Sequence, residues 1–361
     1  MRISFTGGDM DSGKTIRDII LSEQDTLSSR VLEKIFREHP ELQQRYSKAD
    51  TERCREDIVY HLMYLADSAG ADSPELFLHY LAWVKTLFDS IGVSNQSFLA
   101  SLKIIREELR LLIPETESEK ALAVIDRGIK AFPGMPTEME SAFQKDTPHY
   151  DFAVRYLDTL LEGDRNGAVR MVIDAVEAGM PVKEIYLYVF QPAQHELGRL
   201  WQLNKISVAQ EHFCTAVTQL IMSQLYPYIF SSDKTETVFI GTCVGDELHE
   251  IGIRMLTDFL EMEGWDTYFL GANTPVSGVL DSIKSYKADI IGISATMIYH
   301  IHKVEELITE IRSRLPDTAP KILVGGYPFN RDPLLWKKVG ADGYARDAGE
   351  ALSEGEKLLS P

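Results

Sequence analysis

Long apolar runs are missing from this chain of 361 residues. No stretch reaches the roughly 18 apolar residues that a membrane-crossing helix needs, and the N-terminus, Met-Arg-Ile-Ser-Phe-Thr-Gly-Gly, has no leader-like apolar core. A cytoplasmic location without membrane attachment is expected. Cysteine is scarce: Cys54, Cys214 and Cys243 are far apart and odd in number, which points away from a disulfide framework or a zinc cluster. Positive charge is also short, with 37 Lys and Arg against 55 Asp and Glu, a net charge of −18 and a pI near 5.0. Such a surface repels phosphate backbones and anionic lipid, so nucleic acid is not an expected partner. What is plentiful is core-forming material: 44% of residues are hydrophobic, in a chain long enough for two or three domains.

Gly8-Asp-Met-Asp-Ser-Gly13-Lys14-Thr15 fits the phosphate-loop spacing, with Arg2–Thr6 as a candidate strand before it. A nucleotide-binding sheet needs further strands, and nothing strand-like follows until about Thr237. Asp9 and Asp11 would also meet a phosphate with the wrong charge. The segment is read as a leader that ends in a helix start.

Helical periodicity fills Thr15 to about Ala131, as in Leu27, Val31, Leu32 and Ile35, then Ile58, His61, Leu62 and Leu65. Breaks at Pro40, Gly70–Pro74 and Gly92 give an all-α domain of five to seven helices. Cys54, Asp57 and His61 recur three or four apart, so they share one helix face in this domain. A thiol, a carboxylate and an imidazole there suit a conjugated ligand. A ligand-free module with Cys54 as core filler is the other reading. Phe132–Pro136 and the polar run to Pro148 read as a linker. Four helices follow, at Phe152–Leu161, Arg165–Ala178, Val182–Trp201 and Ser207–Tyr226, which make an up-down bundle. From Val238 the pattern changes to strands alternating with helices, the signature of an α/β sheet. Glu247, His249 and Gly252 fall on its first strand-to-helix turn, where such sheets bind ligands. The imidazole can reach a metal while the carboxylate holds its other nitrogen, and Gly252 leaves room for close approach.

Glu247-Leu-His249-Glu-Ile-Gly252, Leu270–Pro275, Ser294-Ala-Thr296-Met and Gly325-Gly326 together resemble the cobalamin-binding domain of methionine synthase, corrinoid methyl carriers and cobalamin photoreceptors. The resemblance covers about 125 residues. It implies that His249 is the lower axial cobalt ligand, with Glu247 behind it and the cofactor's nucleotide tail displaced. Ser294 and Thr296 would bond that tail, and Gly325 and Gly326 would leave it space.

Trp201, followed after nine residues by Glu211-His212, is similar to the cap motif of adenosylcobalamin photoreceptors. The resemblance implies that this trio surrounds the adenosyl group, although Gln202 stands where the best-known members have histidine. The helix around Cys54 looks like the bilin-attachment helix of phycobiliproteins, which are globin-like. Arg55 and Glu56 depart from that motif, so non-covalent biliverdin is expected.

The whole arrangement resembles the photocobilins. The expected fold is a globin-like all-α domain (residues 1–140), a four-helix bundle cap (148–232) and a flavodoxin-like α/β cobalamin domain (235–361). The function this implies is light sensing rather than catalysis, using adenosylcobalamin and biliverdin. A homo-oligomer with light-dependent association and an unnamed output partner would transmit the signal. The alternatives are a corrinoid methyl carrier of a methyltransferase system and a cobalamin-level sensor without photochemistry.

Overall fold

The computed structural model describes residues 15–229 and 234–360. The phosphate-loop match lies outside the described residues except for Thr15, which caps the helix Ile16–Ser22 through a reciprocal pair with Asp18. Among the described residues no helix is long and apolar enough to cross a membrane.

Two compact units form, one of residues up to Leu78 with Gln96–Pro133, the other of His79–Asn95 with the chain from Gly134 onward. The second unit therefore holds both the bundle and the sheet, together with a helical segment that the sequence assigned to the N-terminal domain. Side chains of that segment account for the difference: Trp83 stacks on Trp201, Ser90 donates to the Gln202 carbonyl and Lys85 to that of Met135.

In the first unit, the helix Lys48–Gly70 begins at a Ser47–Asp50 capping box and buries Ile58, Leu62 and Leu65 along one stripe. It packs on the helices Ile16–Ser22, Gln24–Glu38 and Glu115–Ala131. A buried Arg17–Asp67 ion pair, 3.3 Å apart, crosses this core.

In the second unit the bundle closes over Tyr156, Tyr186, Phe190, Leu197 and Ile221. The helix expected at Val182–Trp201 is not continuous. It runs as Val182–Ile185, a π turn Tyr186–Phe190 and Gln191–Gln202. Pro192 explains the break, because it cannot donate back to Tyr188 and its ring crowds that carbonyl; the Gln191 N–H reaches Tyr186 instead. The last helix, Val208–Leu225, starts at a Ser207–Gln210 capping box.

The strands β1 (Val238–Cys243), β2 (Asp266–Gly271), β3 (Ile290–Ser294), β4 (Lys321–Gly325) and β5 (Gly343–Tyr344) form a parallel sheet in the order β2-β1-β3-β4-β5. This is the flavodoxin-like order expected from the sequence. The chain switches sides between β1 and β3, and Cys243, Ser294 and Gly325 lie in register across the strand ends. The loops after β1, β3 and β4 thus meet at one crevice. The bundle is fastened beside it along the helix Ile251–Met262. Gln219 donates to Glu250 at 2.8 Å, Arg254 to Ser223 at 2.8 Å and Tyr186 to Asp258 at 2.8 Å, and Lys183 pairs with Glu263.

Candidate functional site

Glu247 is fully buried at the switch point, and its carboxylate organises the loops around it. One oxygen, Oε1, accepts from the His249 N–H at 3.0 Å and from His249 Nδ1 at 2.6 Å. The other, Oε2, accepts from the N–H groups of Thr296 at 2.7 Å and Met297 at 3.0 Å, and from His300 Nδ1 at 3.1 Å. Burial pushes this carboxyl up, but the hydrogen bonds from His249, His300 and Met297 outweigh it and hold it far below the usual range. It is therefore an ionised acceptor, so both imidazoles present protonated Nδ1 atoms to it. In neutral His249 that tautomer leaves the Nε2 lone pair for another partner.

The His249 side chain is 59% exposed, and the flanking Leu248 is 72% exposed. The hydrogen bond to Glu247 raises the His249 pKa against burial, with charge from Glu247 and from Glu211 of the bundle adding to it. The imidazole is thus accessible at the C-terminal edge of the sheet, and the Glu211 charge reaches it from the bundle. His195 of the bundle is similarly exposed yet held down by burial and by the charge of Arg331, which follows β4.

Of the other residues singled out from the sequence, Gly252, Ser294, Thr296, Gly325 and Gly326 fall on the loops around this crevice. A Cβ on Gly252 would meet open space, which leaves the helix start approachable. Ser294 ends β3, and Thr296 engages Glu247 through its backbone N–H. Gly325 closes β4 beside the Ala345 carbonyl. Gly326 has φ +102°, and a Cβ there would lie 2.1 Å from the Ala295 carbonyl oxygen, so only glycine lets the two loops approach this closely. In the bundle, Trp201 stacks on Trp83 with centroids 6.0 Å apart, and Gln202 is buried with its amide donating to the Trp83 carbonyl at 2.9 Å. Glu211 accepts from Thr215 at 2.9 Å and pairs with His212 at 2.6 Å, while the His212 side chain is 74% exposed.

The helix face in the first unit is less unified. Cys54 is half-buried and Asp57 exposed, whereas His61 is buried edge-on against Phe98 with centroids 5.0 Å apart. Burial, then the Asp57 charge, push the Cys54 thiol up to about 11.

Three contributors were not named from the sequence. His300 supports Glu247. Glu250 joins Gln219 of the bundle to the Ala272 N–H at 2.9 Å, and Asn273 accepts from the Asp246 N–H at 2.8 Å. The only sequence signal for His300 was a second histidine six residues after Ser294, on the neighbouring strand-to-helix loop.

The site fits a metal that arrives inside a macrocycle. Such a metal needs one protein ligand, here an imidazole backed by a buried carboxylate. Among the described residues no group of three or more His, Cys, Asp or Glu is arranged to hold a bare ion.

Comparisons with known proteins point to the same chemistry. Two family models, each described as a B12 binding domain, match residues 237–353 and 153–226. The dimethylamine corrinoid protein of Methanosarcina barkeri is 30% identical over 166 residues, 46% of this chain and 75% of that protein. Dimethylamine corrinoid protein 1 of Methanosarcina acetivorans is 25% identical over 202 residues, 54% of this chain and 92% of that protein. The solved structure of the Methanosarcina barkeri monomethylamine corrinoid protein covers 59% of this chain and all of its own, with a TM-score of 0.53 and 19% identity, a likeness of fold.

Proposed function

Since the chain belongs to the family of cobalamin-binding corrinoid proteins, we propose that it is a methyl-carrying corrinoid component of a methyltransferase system, with His249 as the lower cobalt ligand. The observation that carries the reading is the Glu247–His249 pair at the topological switch point, in which the buried carboxylate holds Nδ1 and leaves Nε2 for a ligand. Cobalamin, when bound, would supply a cobalt centre able to take up and give up a methyl group. This chain's residues do the rest. Glu247 fixes the His249 tautomer, Ser294 and Thr296 would receive the nucleotide tail of the cofactor, and Gly252, Gly325 and Gly326 would leave it room. The bundle residues Trp201, Glu211 and His212 would line the side of the bound cofactor away from His249. The partner is a methyltransferase, and methylamines head the candidate substrates because the relatives carry dimethylamine and monomethylamine in their names.

The test is to load the protein with cobalamin, reduce it and supply a methyltransferase with a ¹⁴C-methylated amine. Label should move onto the protein-bound cofactor in the dark, and His249→Ala should lose both cofactor retention and transfer. No dark transfer with any methylated amine would contradict the carrier reading.

A light sensor is the second reading, favoured by the way Trp83 and Gln202 hold Trp201 in place. A fixed indole wall suits a bulky adenosyl upper ligand, and its photolytic loss would repack the cap and change subunit association. On this reading the N-terminal unit is globin-like and takes biliverdin against Cys54, Asp57 and His61. Light-dependent elution of the adenosylcobalamin-loaded protein, without methyl transfer, would favour it.

A further inference from the structure

We propose that the outward face of the helix Val208–Leu225 is a self-association surface: it packs on the same face of a second copy of this chain, antiparallel, about a two-fold axis level with Cys214 and Thr215. This surface is distinct from the crevice and holds whether or not the chain carries methyl groups.

Helical spacing divides this helix into three faces. Cys214, Val217, Ile221, Met222 and Leu225 are buried in the bundle core. Glu211, Thr215, Gln219 and Ser223 form the row toward the sheet, where Gln219 donates to Glu250 and Ser223 accepts from Arg254. The third face carries Ala209, Phe213, Ala216 and Leu220, spaced four, three and four apart, and all four are exposed, Phe213 by 38% and Leu220 by 40%. A helix that buries one stripe normally turns charge toward water on the opposite side. Here Glu211 is the one formally charged residue of the eighteen, and it lies on the row toward the sheet, in a chain of which 25% is charged. An apolar, uncharged face on a protein of net charge −18 is where two such copies can meet.

The sizes of the side chains select the partner. A two-fold contact is isologous, so when one residue meets another, the second meets the first. Ala209 and Leu220 lie equally far from the midpoint between Cys214 and Thr215, and so do Phe213 and Ala216. Antiparallel packing about that midpoint sets Leu220 over Ala209 of the second copy and Phe213 over its Ala216, a large side chain against a small one at every step, which is how packed layers interdigitate. Parallel packing would oppose Phe213 to its own copy and leave a gap between the alanines. Eighteen residues make a rod about 27 Å long and roughly 10 Å across. One face of that rod is smaller than the roughly 800 Å² per partner of a standard interface, so the dimer is weak and concentration-dependent.

The full chain is examined by sedimentation equilibrium over a wide range of concentration, with circular dichroism to check that each variant is folded. Wild type should show a reversible monomer–dimer equilibrium that added salt does not weaken, since salt screens the repulsion between the two copies. Phe213→Ala removes the ring and Ala216→Phe sets ring against ring. Each should weaken association at least about tenfold, and the two together should recover most of the loss, because a large side chain again meets a small one. Direction is read by mixing. Ala209→Glu and Leu220→Lys proteins should each be monomeric alone and should pair with one another, because antiparallel packing brings the new carboxylate to the new ammonium. A monomeric wild type, including one that instead binds a methyltransferase through this face, overturns the proposal. So does a dimer indifferent to Phe213→Ala and Ala216→Phe, or a mixture no more associated than its components.

Discussion

The chain carries two places where an acid and a histidine share a short stretch of sequence, and they are built differently. At Glu247–His249 the acid is fully buried, accepts five hydrogen bonds and leaves the histidine exposed. At Asp57–His61 the acid is exposed and the histidine is buried against an aromatic ring. The first arrangement presents an oriented lone pair to a ligand, as a metal site requires. The second presents a carboxylate beside a shielded thiol and keeps the imidazole as core, which suits an apolar ligand or none. The lesson is that the buried partner, rather than the residue pair, decides what such a motif does.

The largest expected effect breaks this contrast directly. Glu247→Leu strands five donors and should cost about 3–5 kcal/mol in urea unfolding, whereas Asp57→Asn should stay within about 0.5 kcal/mol. Next is Cys54, whose thiol is pushed to about 11. Against an ordinary exposed thiol, alkylation at pH 8 should be roughly a hundredfold slower, and a fast-reacting Cys54 would mean that the face is open and polar. His61 gives the third effect. Burial lowers its pKa to about 3, so the folded state keeps it neutral while the unfolded chain takes up a proton below its ordinary 6.5. Stability is thus fully present above pH 6.5 and is lost as pH falls toward 3. His61→Leu should remove about 2 kcal/mol of the loss between pH 7 and pH 5. The smallest concerns the seam between the bundle and the helix Ile251–Met262. Burial raises Asp258 to about 6 despite the hydroxyl of Tyr186, so its ionisation above that pH opposes folding. Asp258→Asn, which still accepts from Tyr186, should stabilise the protein by about 1 kcal/mol at pH 8 after allowance for partial exposure, and by little at pH 4.5.

Much of the α/β unit was legible in the sequence, because strand and helix periods alternate and the acid-histidine pair sits on the first turn. The flavodoxin-like strand order and the place of His249, Ser294 and Gly326 at one crevice follow from that pattern. His300 was not legible as a partner of Glu247, since 53 residues and a strand crossover separate them and only the fold brings them within 3.1 Å. The π turn before Pro192 was missed because apolar spacing stays nearly helical through a one-residue insertion. The pairing of Trp83 with Trp201 was missed for a similar reason, as the aromatics of the Pro74–Ser90 helix look like core for their own domain until the bundle is in place.

The central claim, that His249 ligates cobalt, is tested most directly by isotope. Protein grown on ¹⁵N-histidine, loaded with unlabelled cobalamin and reduced to cobalt(II), is examined by electron paramagnetic resonance. The account predicts that the axial-nitrogen triplets of the unlabelled sample become doublets, and that His249→Ala shows neither the labelled doublets nor a histidine-derived shift. Triplets that persist in the ¹⁵N-histidine protein would show that the cofactor's own base remains on the metal, and would contradict it.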